Sequence, residues 1–100
     1  MTKKLKESIK KELLNSLSSE DEITKIVLFG SFTQSENPND IDIAIFQSSK
    51  ESYLKLALKY RRLTRKISKL LPIDIIPIRA NVNNNSFLSE IESGEVSYER

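Results

Sequence analysis

One hundred residues, 38% of them hydrophobic and 30% charged, suit a single globular domain that hides roughly 60–65% of its unfolded surface in one modest core. There is no cysteine and no histidine, which excludes disulfides, a thiolate nucleophile, Cys/His zinc sites and Ser-His-Asp machinery; chemistry has to run on carboxylates, hydroxyls, amines or backbone. The net charge of +2 names no partner, although Lys3, Lys4, Lys6, Lys10 and Lys11 crowd one end and eight of sixteen basic residues lie between Lys50 and Lys69. Solvated helix faces account for both clusters, and the sharper alternative is a surface for phosphates or an acidic partner.

In chain order, Leu5, Ile9, Leu13, Leu14 and Leu17 recur at helical spacing among lysines and predict an amphipathic helix over 3–17. The basic start is followed by no apolar run of signal-peptide length, and no stretch approaches the ~20 apolar residues of a membrane span. A cytoplasmic protein without a membrane partner is expected. Thr24 to Phe29 is β-branched and apolar, too short for a helix, and reads as a strand ended by Gly30. Asp40 to Phe46 reads as a second strand.

Ser48 and Glu51 form a capping-box pattern ahead of a helix over about 50–70, whose stripe is Tyr53, Leu56, Ala57, Tyr60, Leu63, Ile67, Leu70 and Leu71. The stripe reads as core; any exposed remainder, or the first helix, would offer a dimer or partner interface. Pro72 ends this helix, and Ile73 to Ile78 is a third strand with Pro77 near its end or on a sheet edge. Asn81 to Asn85 reads as a loop, Phe87, Leu88 and Ile91 suggest a short helix up to Ser93, and Gly94 suits a helix C-terminus. Val96 to Tyr98 is either a final strand or a tail. The order α-β-β-α-β-α is that of an α+β fold, an α/β sandwich with a small mixed sheet, as one domain over 1–100.

Connection lengths then place the acids. Residues 31–39 are too few for a parallel crossover, so the first two strands are antiparallel if they pair, which sets Gly30 and Ser31 beside Asp40 and Asp42. The second and third strands flank a long helix and are therefore parallel, so Asp74 lies at the same sheet end. Asp40 and Asp42 share a strand face, with Cα atoms roughly 6.5–7 Å apart. Three like charges in one place push at least one to protonate unless a hard, oxygen-loving cation such as Mg²⁺ joins them. Asp-x-Asp alone has a bland reading, a turn ending in a solvated strand start. The Gly-Ser turn before it and Asp74 across the sheet favour the functional one.

Gly30-Ser31, an eight-residue spacer, Asp40-Ile41-Asp42 and later Asp74 in an apolar strand resemble the minimal nucleotidyltransferases of the DNA polymerase β superfamily. The stretch FLSEIESGEVSY also resembles the closing helix and tail of these small proteins. The resemblance implies the nucleotidyltransferase fold, with Gly30 and Ser31 binding nucleotide phosphates and Asp40, Asp42 and Asp74 as catalytic metal ligands for one or two Mg²⁺ ions. It implies transfer of a nucleoside monophosphate, AMP from ATP, to an acceptor hydroxyl. Small members are commonly encoded beside a helical HEPN protein, so it further implies a toxin-antitoxin pair in which this chain adenylylates its partner. The alternative is a catalytically weak module of the same fold that neutralises its partner sterically. Members often carry Gly-Ser-x-Ala-Arg-Gly at the turn; here Gln34 stands for the arginine and Ser35 for the second glycine, and the spacer is two residues shorter than the common ten. Nucleic-acid binding by Lys55, Lys59, Arg61, Arg62, Arg65, Lys66 and Lys69 is the weakest reading, because no aromatic on that face is placed to stack on a base.

Overall fold

A computed structural model describes residues 1–80, residue 91 and residues 94–99. The first helix, α1 (Lys3–Leu17), starts where Thr2 accepts a hydrogen bond from the Leu5 amide, and it buries Ile9, Leu13 and Leu17. Strand β1 (Ile23–Phe29) stops at Gly30, a one-turn helix α2 (Ser31–Gln34) follows, and β2 is Ile41–Gln47. Helix α3 (Tyr53–Leu63), the short α4 (Arg65–Ser68), β3 (Ile73–Arg79) and β4 (Glu95–Glu99) complete the described elements.

The sheet order is β3-β2-β1-β4, with β1 antiparallel to β2 and to β4 and β2 parallel to β3. The mixed sheet, the antiparallel first pair and the parallel second pair follow the expectation. The Val96–Tyr98 question resolves as a fourth strand beside β1. Pro77 sits in β3, an edge strand, where a missing amide costs no ladder bond on the open side.

Helices α1, α3 and α4 cover one face. Ile41, Ile43 and Ile45 of β2 point into a core with Ile9, Leu13, Leu17, Leu56, Tyr60 and Ile67. The opposite face carries a smaller cluster of Val27, Phe29, Ala44 and Ile91. Strand alternation therefore puts Asp42 on the face away from α1, α3 and α4.

Three local expectations need correction. The helix over 50–70 is broken at Thr64, whose hydroxyl donates to the Tyr60 carbonyl at 2.8 Å and whose backbone leaves helical geometry at φ −105° and ψ 13°. A buried Thr that bonds back to the preceding turn competes with the helix ladder. The helix is capped by Ser52, which accepts from the Lys55 amide at 3.3 Å, and not by the Ser48/Glu51 pair; the Ser48 hydroxyl instead reaches the Glu22 carbonyl. Of the apolar stripe, Tyr53 and Leu70 are exposed.

Gly94 has no left-handed backbone; it is small because a Cβ there would meet the Leu28 carbonyl oxygen at 2.5 Å. The Asn81–Asn85 loop, and the helix up to Ser93 apart from helical Ile91, lie outside the described residues. No helix among those described is long and apolar enough to cross a membrane.

Candidate active site

The end of β1 and the starts of β2 and β3 meet at one rim of the sheet. Phe29 pairs with Asp42, and Asp42 stands in register with Asp74 across the parallel ladder. The Ile41 amide donates to the Pro72 carbonyl at 2.9 Å, which aligns the two strand starts. Asp40 precedes β2 rather than opening it. Even so, one carboxylate oxygen from each of Asp40, Asp42 and Asp74 lies within 4.8 Å of the others. Asp40 and Asp42 are half-buried and Asp74 is exposed.

Gly30 is required here for two separate reasons. Its φ of 74° belongs to the left-handed region, and a Cβ at this position would overlap the Asp42 carboxylate. The backbone can therefore pass directly against that acid. The next residue, Ser31, donates its hydroxyl to Asp40 Oδ1 at 3.2 Å, so the turn orients the first acid as well as abutting the second.

Two residues that sequence reasoning passed over hold the turn. The Thr33 hydroxyl and amide both donate to the Gly30 carbonyl, at 3.0 and 3.2 Å. Phe32 is fully buried and anchors the turn in the helix-side core. Its spacing from the flanking polar residues is the signal that was available: one large apolar side chain in an otherwise polar loop. Lys6 of α1 lies 5.7 Å from the Phe32 ring centre and donates to the Ser35 carbonyl, tying the loop to the first helix.

The electrostatics follow from crowding. Burial pushes the Asp42 carboxyl up to about 6 from an ordinary 3.8, and the charges of Asp40 and Asp74 and a hydrogen bond with Asp74 add to it. Among the described residues no lysine or arginine forms a salt bridge with any of the three acids. Three oxygen ligands with excess negative charge are the donor set that a hard divalent cation favours.

A family model for the polymerase beta nucleotidyltransferase domain matches residues 11–100. The chain belongs to the polymerase beta nucleotidyltransferase family. No curated protein matches it in sequence. Solved structures share the nucleotidyltransferase fold at low identity. A complex of the tri-AMPylated Shewanella oneidensis HEPN toxin with MNT antitoxin aligns at TM-score 0.66 and 15% identity, over 95% of this chain and 73% of that one. The toxin-antitoxin MntA-HepT aligns at 0.67 and 14%, over 94% and 73%, and a toxin-antitoxin structure with AMP-PNP at 0.64 and 19%, over 91% and 73%. At these identities the likeness establishes fold alone. Within this nucleotidyltransferase, α2 carries no basic residue and Gln34 is exposed, so the turn contributes backbone and hydroxyl groups but no cation.

Proposed function

We propose that residues 1–100 act as one nucleotidyltransferase domain that moves AMP from ATP to a hydroxyl of a helical HEPN-type partner, as the antitoxin of that pair. The observation that carries this reading is the convergence of Asp40, Asp42 and Asp74 beside the Gly30-Ser31 turn, in a member of this family. The toxin-antitoxin complexes that share the fold, one holding AMP-PNP and one an AMPylated toxin, support ATP as donor and a protein as acceptor.

The three carboxylates would hold one or two Mg²⁺ ions, which neutralise the triphosphate and stabilise the entering and leaving oxygens of an in-line displacement. The chain's own residues do the rest. Gly30 leaves room for phosphate oxygens to reach backbone N–H groups, and the Ser31 hydroxyl turns from Asp40 to a phosphate or keeps Asp40 aimed. Asp74, the exposed acid, accepts the acceptor's hydroxyl proton and passes it to solvent. The acceptor oxygen bonds to the α-phosphorus, the bond between that phosphorus and the bridging oxygen breaks, and pyrophosphate departs.

The test is incubation with α-labelled ATP, Mg²⁺ and the purified HEPN-type protein, followed by electrophoresis. Label on the partner, lost with EDTA, is the expected result. A partner that stays unlabelled but is neutralised stoichiometrically would leave the steric module as the reading. The bare turn at Gln34 is the feature that favours that outcome. Mg²⁺ and ATP together should also raise the melting temperature, by about 2.7 kcal/mol of stability at 100-fold excess over Kd.

A further inference from the structure

The helix-covered face of the molecule carries a second feature, which the nucleotide reading does not use. A cavity of about 420 Å³ opens where α3 breaks into α4, walled by Leu58, Arg61, Arg62, Arg65, Ser68 and Ile73. Ile73 is the residue before Asp74, but strand alternation turns the two side chains to opposite faces, so the groove and the acidic rim share the start of β3 and are separated by the strand itself.

Its three arginines are exposed and have no carboxylate partner among the described residues. The lysines of the same helix behave differently: Lys55 pairs with Glu51, and Lys59 pairs with Glu20 and Glu22. Positive charge on α3 is thus neutralised everywhere except around the groove. Guanidinium groups, with their planar forks, suit carboxylates or phosphates held in two-point contact. The groove is also apolar at its lip, where Leu58 and, one turn earlier, Leu54 are 55% and 67% exposed.

Sheet order separates the groove from the nucleotide. Gly30 and Ser31 follow β1, whereas the groove lies against β3, on the far side of β2. The groove and the Asp74 side chain lie on opposite faces of β3, whose outer edge is open. A small ligand in the groove would not touch Asp74, whereas a protein seated there could extend round that edge and reach Asp74 from the flank opposite the phosphate turn. No aromatic side chain lines the groove, so it offers nothing for a base to stack on, and the leucines at its lip suit a polypeptide.

We propose that this groove docks the acceptor protein through an acidic segment carrying an apolar residue, so that the arginines take its carboxylates and Leu54 and Leu58 its apolar side chain. This rests on the proposed transfer to a protein hydroxyl. The variants are Arg61→Glu/Arg62→Glu/Arg65→Glu and, as a gentler change, the same three positions to Lys. In the labelling assay the acceptor's KM should rise at least ~10-fold in the glutamate variant, with a smaller rise in the lysine variant. Turnover at saturating acceptor and the melting shift with Mg²⁺ and ATP should stay as in the wild type. Raising salt should weaken acceptor binding in the wild type and leave the glutamate variant nearly unaffected.

An unchanged KM overturns the proposal. Loss of the ATP-dependent melting shift also overturns it, because the groove would then serve the nucleotide. Loss of binding to a single-stranded RNA probe with acceptor KM unchanged would assign the face to nucleic acid instead. Should the wild type label no partner, calorimetric binding of the acceptor to the same chains still decides: equal affinity in wild type and glutamate variant refutes the docking site, while the transfer reading fails separately.

Discussion

Two clusters of acids sit at opposite ends of the sheet, and only one is balanced. Where β1 begins, Glu20 and Glu22 both lie 2.6 Å from the Lys59 ammonium. Hydrogen bonds to these two glutamates are the main cause of the upward shift of the Lys59 pKa, in the sense that attraction produces. Where β1 ends, three aspartates crowd together with no cation among the described residues, and Asp42 shifts upward in the sense that burial and like charge produce. The first cluster is complete within the chain and behaves as structure. The second is left with a charge deficit that a ligand would have to meet, and that asymmetry separates a salt bridge from a candidate site.

The sharpest way to break this comparison is catalysis. Asp42→Asn should lower partner labelling by about 10³-fold, the factor that about 4 kcal/mol of lost charge stabilisation represents. Lys59→Met should leave the rate within about twofold. Initial rates with labelled ATP measure both. Similar losses in the two variants would dissolve the distinction between the clusters.

Next in size is the glycine against which Asp42 rests. Gly30→Ala must adopt a left-handed φ of 74° and push its methyl into the Asp42 carboxylate. Such strain costs about 1–3 kcal/mol, read from urea unfolding, and transfer should fall along with stability because the acid has to move. A fully stable and active alanine variant would mean that the turn and the acid do not touch as described.

A smaller effect concerns the metal-free protein. Asp42 has a folded pKa above its unfolded one, so the native state holds the proton more tightly and stability falls as pH rises between 3.8 and about 6. The penalty is absent below that window and complete above it. Asp42→Asn in EDTA should therefore be about 1–2 kcal/mol more stable than the wild type at pH 7.5 and equal to it near pH 3.5. Mg²⁺ should shrink the gap at neutral pH by stabilising the wild type alone. A variant that is less stable at pH 7.5 would show that the acids are not crowded in solution.

Much of this arrangement was readable from spacing. The leucine and isoleucine repeat matched α1 from Lys3 to Leu17, and loop lengths alone gave the strand directions that bring Asp74 next to Asp42. What stayed hidden depended on single side chains choosing among backbone partners. The Thr64 hydroxyl folds back on Tyr60 and splits a helix whose apolar stripe runs on regardless. Ser48 and Ser52 are both plausible caps, and only tertiary contact with Glu22 decides that Ser48 is used elsewhere. The Ser31 contact with Asp40 and the anchoring of the turn by Phe32 are likewise three-dimensional facts with only faint sequence signals.

The least effect is expected at the balanced cluster. Lys59 is about a third exposed and its two glutamates less so, so the pairs are neither fully screened nor fully desolvated. Lys59→Met removes one cation and leaves two acids 2.6 Å from where it stood, while the slightly shorter methionine keeps most of the packing of the lysine stem. A net loss of about 1 kcal/mol follows, larger at low salt. Because the lysine's folded pKa is raised, this contribution is fully present below its ordinary 10.5 and disappears only as pH climbs through the higher folded value. Across pH 6 to 8 the Lys59→Met difference should therefore be almost flat, while the Asp42→Asn difference bends between pH 3.8 and about 6. Parallel pH curves for the two variants would show that both clusters are held by the same kind of interaction, and the charge deficit at the acidic rim would lose its claim to be special.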